Sequence, residues 1–169
     1  MLPKSLVAAR KLLEEITPLQ TDCGLVCGGA CCQTHPGEET GMLLFPGEAE
    51  MYRGEKGFTL VDSPHGTILV CEGRCSRVNR PLACRMFPLV MLLRPDGVKI
   101  ATDAAAQAVC PLARQGKSAL SQDFVAAVRQ AANLLAQDDQ QAAHLRRLTD
   151  MQDELKALRA QYRGRKEHV

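Results

Sequence analysis

Residues 21–41 read TDCGLVCGGACCQTHPGEETG, and this stretch decides what kind of fold the chain can form. It contains four cysteines and five glycines. Glycine at this density disfavours a regular helix and permits the tight turns that bring several thiols to one point. We therefore expect an irregular loop here, lined by Cys23, Cys27, Cys31 and Cys32.

A second cysteine block, CEGRCSRVNRPLACRMFP, covers residues 71–88 and contributes Cys71, Cys75 and Cys84. Cys110 completes a set of eight. Close pairs of cysteines supply metal ligands at a small loop-closure cost. Thiolates are soft ligands, which select zinc, iron–sulfur clusters or monovalent copper rather than magnesium or calcium. The two blocks therefore indicate a metal site built from thiolates.

The adjacent pair Cys31 and Cys32 restricts how the thiolates can be shared. Neighbouring side chains point to opposite faces of a strand and diverge by about 100° on a helix, so sharing one tetrahedral ion is awkward. We expect the two residues to serve different centres, or only one of them to be a ligand. Eight thiolates could form two four-sulfur sites, or one such site with spare redox-active thiols.

Other side chains near the cysteine blocks are weaker candidates. His35 and His65 could be ligands, although a loop or turn histidine is the simpler interpretation of each. Glu48 and Asp62 could be hard ligands to iron or could orient a bound water, although a first-turn acid is the simpler interpretation of Glu48. His144 and His168 are expected on the surface. Four arginines could offset the formal −2 charge of a four-thiolate zinc site, or could simply be solvated: Arg74, Arg77, Arg80 and Arg85. Because Arg85 follows Cys84 directly, it is the arginine expected nearest to a sulfur.

The remaining sequence predicts short strands and helices around the cysteine blocks. A helix over residues 3–17 is expected to stop at Thr17-Pro18. Strands are predicted at 42–45, 58–62, 66–71, 89–93 and 98–101, and helices at 46–53, 81–87, 121–137 and 140–162. The fold class is therefore α+β: a small, cysteine-rich, metal-centred domain over residues 1–116, followed by two C-terminal helices over 117–169.

The last predicted helix carries an apolar stripe. Leu148, Met151, Leu155 and Leu158 form two a/d pairs of a heptad, which is too short to predict a coiled coil. We expect this face to pack on the protein's own core, or otherwise on a second subunit or a protein partner.

Composition narrows the function. The chain has 169 residues and a net charge of +2, so nucleic-acid binding is not favoured. The N-terminal sequence MLPKSLVAARKLLEE lacks a signal-peptide core, and no apolar run is long enough to span a bilayer. We expect a cytoplasmic protein without a membrane partner, in which cysteines are more often metal ligands or redox groups than disulfides. The usual nucleotide-binding and nucleophile-elbow motifs are absent from the sequence.

The string Arg80-Pro81-x-x-Cys84-Arg85-x-Phe87-Pro88, together with the Cys31-Cys32 doublet, resembles the YkgJ-like cysteine-cluster proteins over residues 20–113. That family is described as zinc- or iron-chelating, with eight characteristic cysteines. The resemblance implies that all eight cysteines here are candidate metal ligands. Its usual CxxCxxCC opening has shorter gaps than this chain, in which both gaps contain three residues. Some relatives are labelled iron–sulfur oxidoreductases, and related domains occur in protein-methylating enzymes.

We therefore predict a cytoplasmic metal-binding protein with one or two cysteine-thiolate centres. Zinc is the favoured metal, and iron or an iron–sulfur cluster is the alternative. Three other functions stay open: an iron–sulfur or iron-dependent oxidoreductase, a zinc-stapled interaction module that binds a partner or a second copy through the C-terminal helices, and a thiol-based redox sensor.

Overall fold

The computed structural model describes residues 1–33, 41–73 and 75–166, with side chains described as far as residue 163. Helices and strands are both present and two helices end the chain, so the α+β prediction is confirmed. The helices are α1 (Lys4–Leu12), α2 (Gly24–Cys27), α3 (Leu82–Met86), α4 (Pro111–Gln115), α5 (Gln122–Leu135) and α6 (Asp139–Lys166). The strands are β1 (Gly41–Leu43), β2 (Phe58–Ser63), β3 (Gly66–Cys71), β4 (Leu89–Arg94) and β5 (Gly97–Thr102).

The main core lies between α1, the β4–β5 hairpin and the two C-terminal helices. Its fully buried side chains come from every one of these elements: Leu6, Leu13, Leu89, Met91, Phe124, Val128, Leu135 and Leu145. The core is almost entirely aliphatic, as expected for a chain without tryptophan. It also draws residues from both sides of the predicted boundary at residue 116.

The first helix is shorter than predicted. It ends at Leu12, whereas the sequence placed its end at Thr17-Pro18. The Arg77 guanidinium donates to the carbonyls of Leu13, Glu14 and Ile16, so it binds the chain directly after the end of the helix. A long-range contact of this kind leaves no local signal in the sequence of the helix.

Two antiparallel sheets carry the strands. β3 is the centre of a three-stranded sheet in the order β1-β3-β2, and β4 pairs with β5 in a separate hairpin. The register places Cys71, the last residue of β3, opposite Phe58. All five predicted strands are confirmed to within two residues at each end. The predicted turn at 63–66 connects β2 to β3, and the predicted turn at 94–97 connects β4 to β5.

The predicted helix after Pro46 is a single 3₁₀ turn, Glu48–Met51. Gly47 precedes it with φ +84°, and a Cβ at this position would lie 2.7 Å from Pro3 Cδ. Glycine is needed here because the backbone is left-handed and the start of α1 packs directly against it.

The longest helix, α6, packs on β4 and the main core through a largely polar face. Gln141, His144, Thr149 and Gln152 are buried, alongside the fully buried Leu145. In the predicted heptad stripe, Leu148 packs partly against the main core, whereas Leu158 is exposed. His144 was expected on the surface, and this expectation is wrong: its ring is 1% exposed and packs 4.8 Å from Phe45, centroid to centroid.

Within the described residues, no helix combines the length and the apolar character needed to cross a membrane.

Candidate metal centre

The first cysteine segment, residues 22–33, folds into two short turns with a glycine corner between them. α2 covers Gly24–Cys27, and a 3₁₀ turn covers Ala30–Cys32. Gly28 and Gly29 join the two turns, both in the left-handed conformation that glycine adopts without strain. This corner brings four thiols of one short segment to neighbouring positions. The sequence predicted the irregular loop but not its two helical turns.

The adjacent cysteines do not diverge as far as expected. Their Sγ atoms lie 3.9 Å apart, because the doublet sits in a tight 3₁₀ turn rather than in a strand or an α-helix. The contact with Cys32 is the main reason why the pKa of the Cys31 thiol is raised, and burial raises it further. The two thiols are therefore close enough to belong to one site or to two sites that adjoin.

Cys110 faces the first cysteine segment from the opposite side. It is buried with Ala106 and Ala113 in a small apolar cluster that includes Phe87 and Leu112. A cavity of about 20 Å³, roughly the room that one water needs, is lined by four cysteines and mainly apolar side chains. We call these four cysteines the first thiol group: Cys23, Cys27, Cys31 and Cys110.

Cys23 illustrates the electrostatics of this group. Burial is the largest influence on its thiol and raises its pKa, and the nearby Asp22, Cys27 and Cys110 raise it further. Arg80 acts in the opposite direction. In the absence of a cation the Cys23 thiol therefore favours its protonated form.

The remaining cysteines interact electrostatically with Cys84. Burial raises the pKa of the Cys84 thiol, and Cys75, Cys32, Cys71 and Glu48 add to the increase. Burial likewise raises the pKa of Cys75, with a contribution from Cys71 and an opposing one from Arg80. We call this set the second thiol group: Cys32, Cys71, Cys75 and Cys84.

Cys84 is held in place by contacts at both ends of α3. At one end, the Leu82 amide donates to Glu48 Oε1 at 2.7 Å. At the other, Arg85 donates to the carbonyls of Arg10, Val78 and Arg80 at 2.8, 2.9 and 3.1 Å. Because both ends are fixed, the thiol between them has a defined position relative to α1 and to residues 78–80.

Glu48 is a structural carboxylate and not a vacant ligand. It is fully buried, and Arg10 and the Leu82 amide donate to Oε1 while the Phe45 amide donates to Oε2. Burial raises its pKa, whereas the Arg10 charge and the backbone donors lower it. The network continues to Tyr52, whose hydroxyl donates to the Asn79 carbonyl at 3.0 Å and whose pKa burial raises to about 12.

Arg10 and Tyr52 were not predicted to belong near the site. Arg10 is buried on a helix face that otherwise carries Leu6, Ala9 and Leu13, and a charged residue on such a face was the available signal. Tyr52 had no comparable signal in the sequence.

The expectation about the arginines needs a correction. Arg85 donates its guanidinium to three carbonyls and is buried, so the interpretation of this residue as a solvated arginine is wrong. Arg77 caps the end of α1. It is Arg80 whose charge lowers the pKa of a thiol in each group, although burial outweighs it in both.

The other candidate ligands lie elsewhere or outside the described residues. His65 is exposed in the β2–β3 turn, where its amide donates to Ser63 Oγ. Asp62 is exposed on β2 and accepts a hydrogen bond from Thr67. His35, Arg74 and His168 are outside the described residues.

All eight cysteines lie in the described part of the chain, and no disulfide joins any two of them. Across residues 1–33, 41–73 and 75–166, no three or more His, Cys, Asp or Glu side chains already have the arrangement that a metal ion requires. The thiols are thus gathered but not in a coordination geometry, so the sulfurs would have to draw together around an ion.

No family model, curated protein or solved structure matches the chain. The resemblance to the YkgJ-like cysteine-cluster proteins therefore stays a prediction.

Proposed function

We propose that the protein is a cytoplasmic metal-binding protein that holds a thiophilic ion through one or two cysteine-thiolate centres, with zinc favoured over iron. The observation that carries the proposal is the gathering of the thiols. Cys110 joins three cysteines of residues 22–33 around one small cavity, although it is far from them in sequence. Thiols that are not disulfide-bonded and that meet from distant parts of a chain are the typical ligand set of a structural zinc or iron–sulfur centre.

The donor set fits zinc or iron chemically. Burial and thiol neighbours raise the pKa of Cys23, Cys31, Cys75 and Cys84, so these groups are unfavourable as isolated thiolates. A bound cation supplies the positive charge that stabilises the thiolate form, which is why metal binding releases protons. When zinc is bound, its function at such a site is to tie the loops together.

The packing of residues 22–33 gives the metal a role in folding. Leu25 and Val26 are 78% and 63% exposed. In the part of the chain that the structure describes, this segment contributes no residue to the three hydrophobic clusters. Apolar burial therefore does little to order it, and metal–sulfur bonds would supply the missing stabilisation.

Elemental analysis of the full chain, purified without oxygen and paired with an ultraviolet–visible spectrum, tests the proposal. We expect one or two zinc ions per chain and no visible absorbance. Stoichiometric iron with sulfide and charge-transfer bands would keep the metal centre but favour the oxidoreductase alternative. Metal-free protein with reversible disulfides would contradict the proposal and favour a thiol redox sensor.

Two cysteine variants distinguish one centre from two. Cys110→Ser removes a member of the first thiol group, and Cys71→Ser removes a member of the second. With two centres, each variant loses about half of the bound metal, and the double variant loses nearly all of it. With one shared centre, either variant loses most of the metal. Val109→Ser is the matched control, since it places a serine beside Cys110 without removing a thiol.

Removal of the metal by a chelator tests the folding role. We expect residues 22–33 and 71–84 to exchange amide hydrogens faster, while β4, β5, α5 and α6 stay protected by the main core. Unchanged protection of residues 22–33 after verified metal removal would show that the metal does not hold this segment.

A second candidate function is a zinc-stapled interaction module. The observation that favours it is the end of α6, where Leu158 and Tyr162 are 52% and 67% exposed. If this face binds a second copy, the molar mass of the protein should rise with concentration, and Leu158→Lys should abolish the increase. Ala157→Lys, on a neighbouring exposed position, is the control.

A further inference from the structure

A groove lies between the last turns of α6 and the turn that leads to Cys110. Its volume is about 490 Å³, and five residues line it: Gln107, Ala108, Arg159, Tyr162 and Arg163. Sites for small molecules usually have volumes of roughly 300–1,000 Å³. None of these five residues lines the cavity of the first thiol group. We call this feature the arginine groove and treat it as a site of its own.

The wall opposite α6 is fixed by hydrogen bonds. Gln107 and Ala108 end a 3₁₀ turn, Ala105–Ala108. Arg114 donates to both of their carbonyls, with Nε 2.8 Å from the Gln107 oxygen and Nη2 3.1 Å from the Ala108 oxygen. Across the groove, Arg159 Nη1 donates to Gln107 Oε1 at 3.3 Å. The groove is therefore formed before any ligand arrives, which lowers the entropic cost of binding.

The charge of the groove is not neutralised by the protein. Arg159 and Arg163 are four residues apart on α6, so their guanidiniums are neighbours on one helix face and repel each other. In the part of the chain that the structure describes, neither takes part in an ion pair, since the ion-paired cations there are Arg10, Arg53, Arg94 and Lys99. The planar guanidinium matches the geometry of a phosphate, which it binds through two parallel hydrogen bonds. Two such groups at the edge of a preformed groove point to an anionic ligand.

Tyr162 adds an aromatic surface to the same groove. It lies between the two arginines in sequence, and it is 67% exposed although it lines the groove. An exposed tyrosine ring provides a face on which a flat ring stacks, and such stacking is tolerant of the identity of the ring. The groove thus combines a site for a phosphoryl group with a site for an aromatic ring.

We propose that the arginine groove binds a small organic phosphate that carries a flat ring, the class to which nucleoside monophosphates belong. Arg159 and Arg163 hold the phosphoryl group, and Tyr162 stacks on the ring. A phosphomonoester has a charge of roughly −1.5 to −2 at pH 7, which two guanidiniums balance. A long nucleic acid fits less well, because the chain has a net charge of only +2. This binding does not depend on the proposed metal centre.

Isothermal titration of the full-length protein with three probes tests each part of the proposed ligand. Adenosine monophosphate has both the phosphoryl group and the ring, ribose 5-phosphate lacks the ring, and adenosine lacks the phosphoryl group. We expect adenosine monophosphate to bind, and each of the other two probes to bind at least about tenfold more weakly, because each loses one of the two contacts.

Variants of the lining residues test the location. Arg159→Gln and Arg163→Gln should each raise the Kd of adenosine monophosphate about tenfold. Arg163→Gln keeps the Arg159–Gln107 hydrogen bond, so its effect does not come from a changed wall. Tyr162→Ala should weaken the binding of adenosine monophosphate and leave that of ribose 5-phosphate unchanged. Arg129→Gln is the matched control, because Arg129 is an exposed arginine of α5 that does not line the groove.

The outcomes are decisive for the groove alone. A Kd above about 1 mM for adenosine monophosphate overturns the proposal, and so does equal binding of this probe and ribose 5-phosphate. Equal Kd values for wild type and both arginine variants would place the ligand elsewhere. A short single-stranded oligonucleotide that binds more tightly than the monophosphate would replace the small ligand by nucleic acid. The bound metal, measured in the same samples, should be equal in wild type and all four variants, so failure here leaves the metal-binding proposal standing.

Discussion

Helix α5 and residues 22–33 have similar lengths but are held in place by different forces. α5 buries Phe124, Val128, Ala131, Ala132 and Leu135 in the main core. Residues 22–33 leave Leu25 and Val26 in solvent, and three of their cysteines line the small cavity beside Cys110. The comparison teaches that one chain can contain a part ordered by apolar burial and a part to which apolar burial contributes little.

The largest effect should follow from creating a cavity in the main core. Phe124, on α5, is fully buried in the main core. We expect Phe124→Ala to lower the free energy of unfolding by about 3–5 kcal/mol, because the lost contacts are replaced by a void. Urea unfolding followed by circular dichroism measures this change. A loss below about 1 kcal/mol would mean that α5 does not anchor the core.

The next effect concerns the ion pair that joins the apolar part to the second thiol group. Arg10→Met leaves the Glu48 carboxylate buried without its counter-charge, and we expect a loss of about 3 kcal/mol at neutral pH. The loss should become smaller as the pH is lowered, because burial raises the pKa of Glu48 and its protonation removes the buried charge. The double variant Arg10→Met/Glu48→Leu should recover part of the stability. If the single and double variants are equally unstable, the pairing is not what stabilises this site.

A smaller effect depends on pH and is confined to the apolar part. Burial lowers the pKa of His144 to about 4, and the nearby Arg147 contributes in the same direction. In the unfolded chain His144 binds a proton near pH 6.5, whereas in the folded protein it stays neutral until about pH 4. The free energy of unfolding therefore falls as the pH is lowered between these two values. Between pH 7.5 and pH 5 this residue alone should account for about 2 kcal/mol.

The His144→Leu variant isolates that contribution. Its free energy of unfolding should fall less than that of wild type over the same pH range, since other titrating groups are common to both proteins. Identical pH profiles would show that His144 binds its proton over the same pH range in the folded protein as in the unfolded chain.

The smallest effect is expected on the exposed side of residues 22–33. Leu25→Ser removes an apolar side chain that is 78% exposed, so the free energy of unfolding should change by less than about 0.5 kcal/mol. Thermal unfolding of the purified protein measures it. A loss comparable with that of a core variant would show that Leu25 packs against something, and the contrast with α5 would no longer hold.

The sequence predicted the regular elements better than the contacts between them. Alternating apolar residues and Gly-containing turns located β2, β3, β4 and β5 because each hairpin is specified by neighbouring residues. The end of α1 was misplaced because it depends on Arg77, which is distant in sequence. Local patterns contain no information on such a contact.

The buried face of α6 was missed for a different reason. Its buried residues are mostly polar, and they serve backbone groups of other elements: Thr149 Oγ1 accepts from the Leu93 amide at 2.9 Å, and Gln141 Nε2 donates to the Pro46 carbonyl at 2.8 Å. An apolar stripe is the usual signal of a packed helix face, so the prediction of the packed face relied on the leucines at 148, 155 and 158 instead. For the candidate site, the cysteines were visible in the sequence, whereas their division into two groups needed the fold.

Gln152 has a consequence for any attempt to transplant the cysteine motif. Its amide accepts from the Ala104 N–H and donates to Asp103 Oδ1, both at 2.9 Å, and thereby fixes the start of the turn that leads to Cys110. A fragment cut after residue 116 would retain every cysteine but lose this amide and the helix that carries it. The smallest portable unit is therefore larger than the cysteine motif, and a grafting experiment should include α6 as far as Gln152.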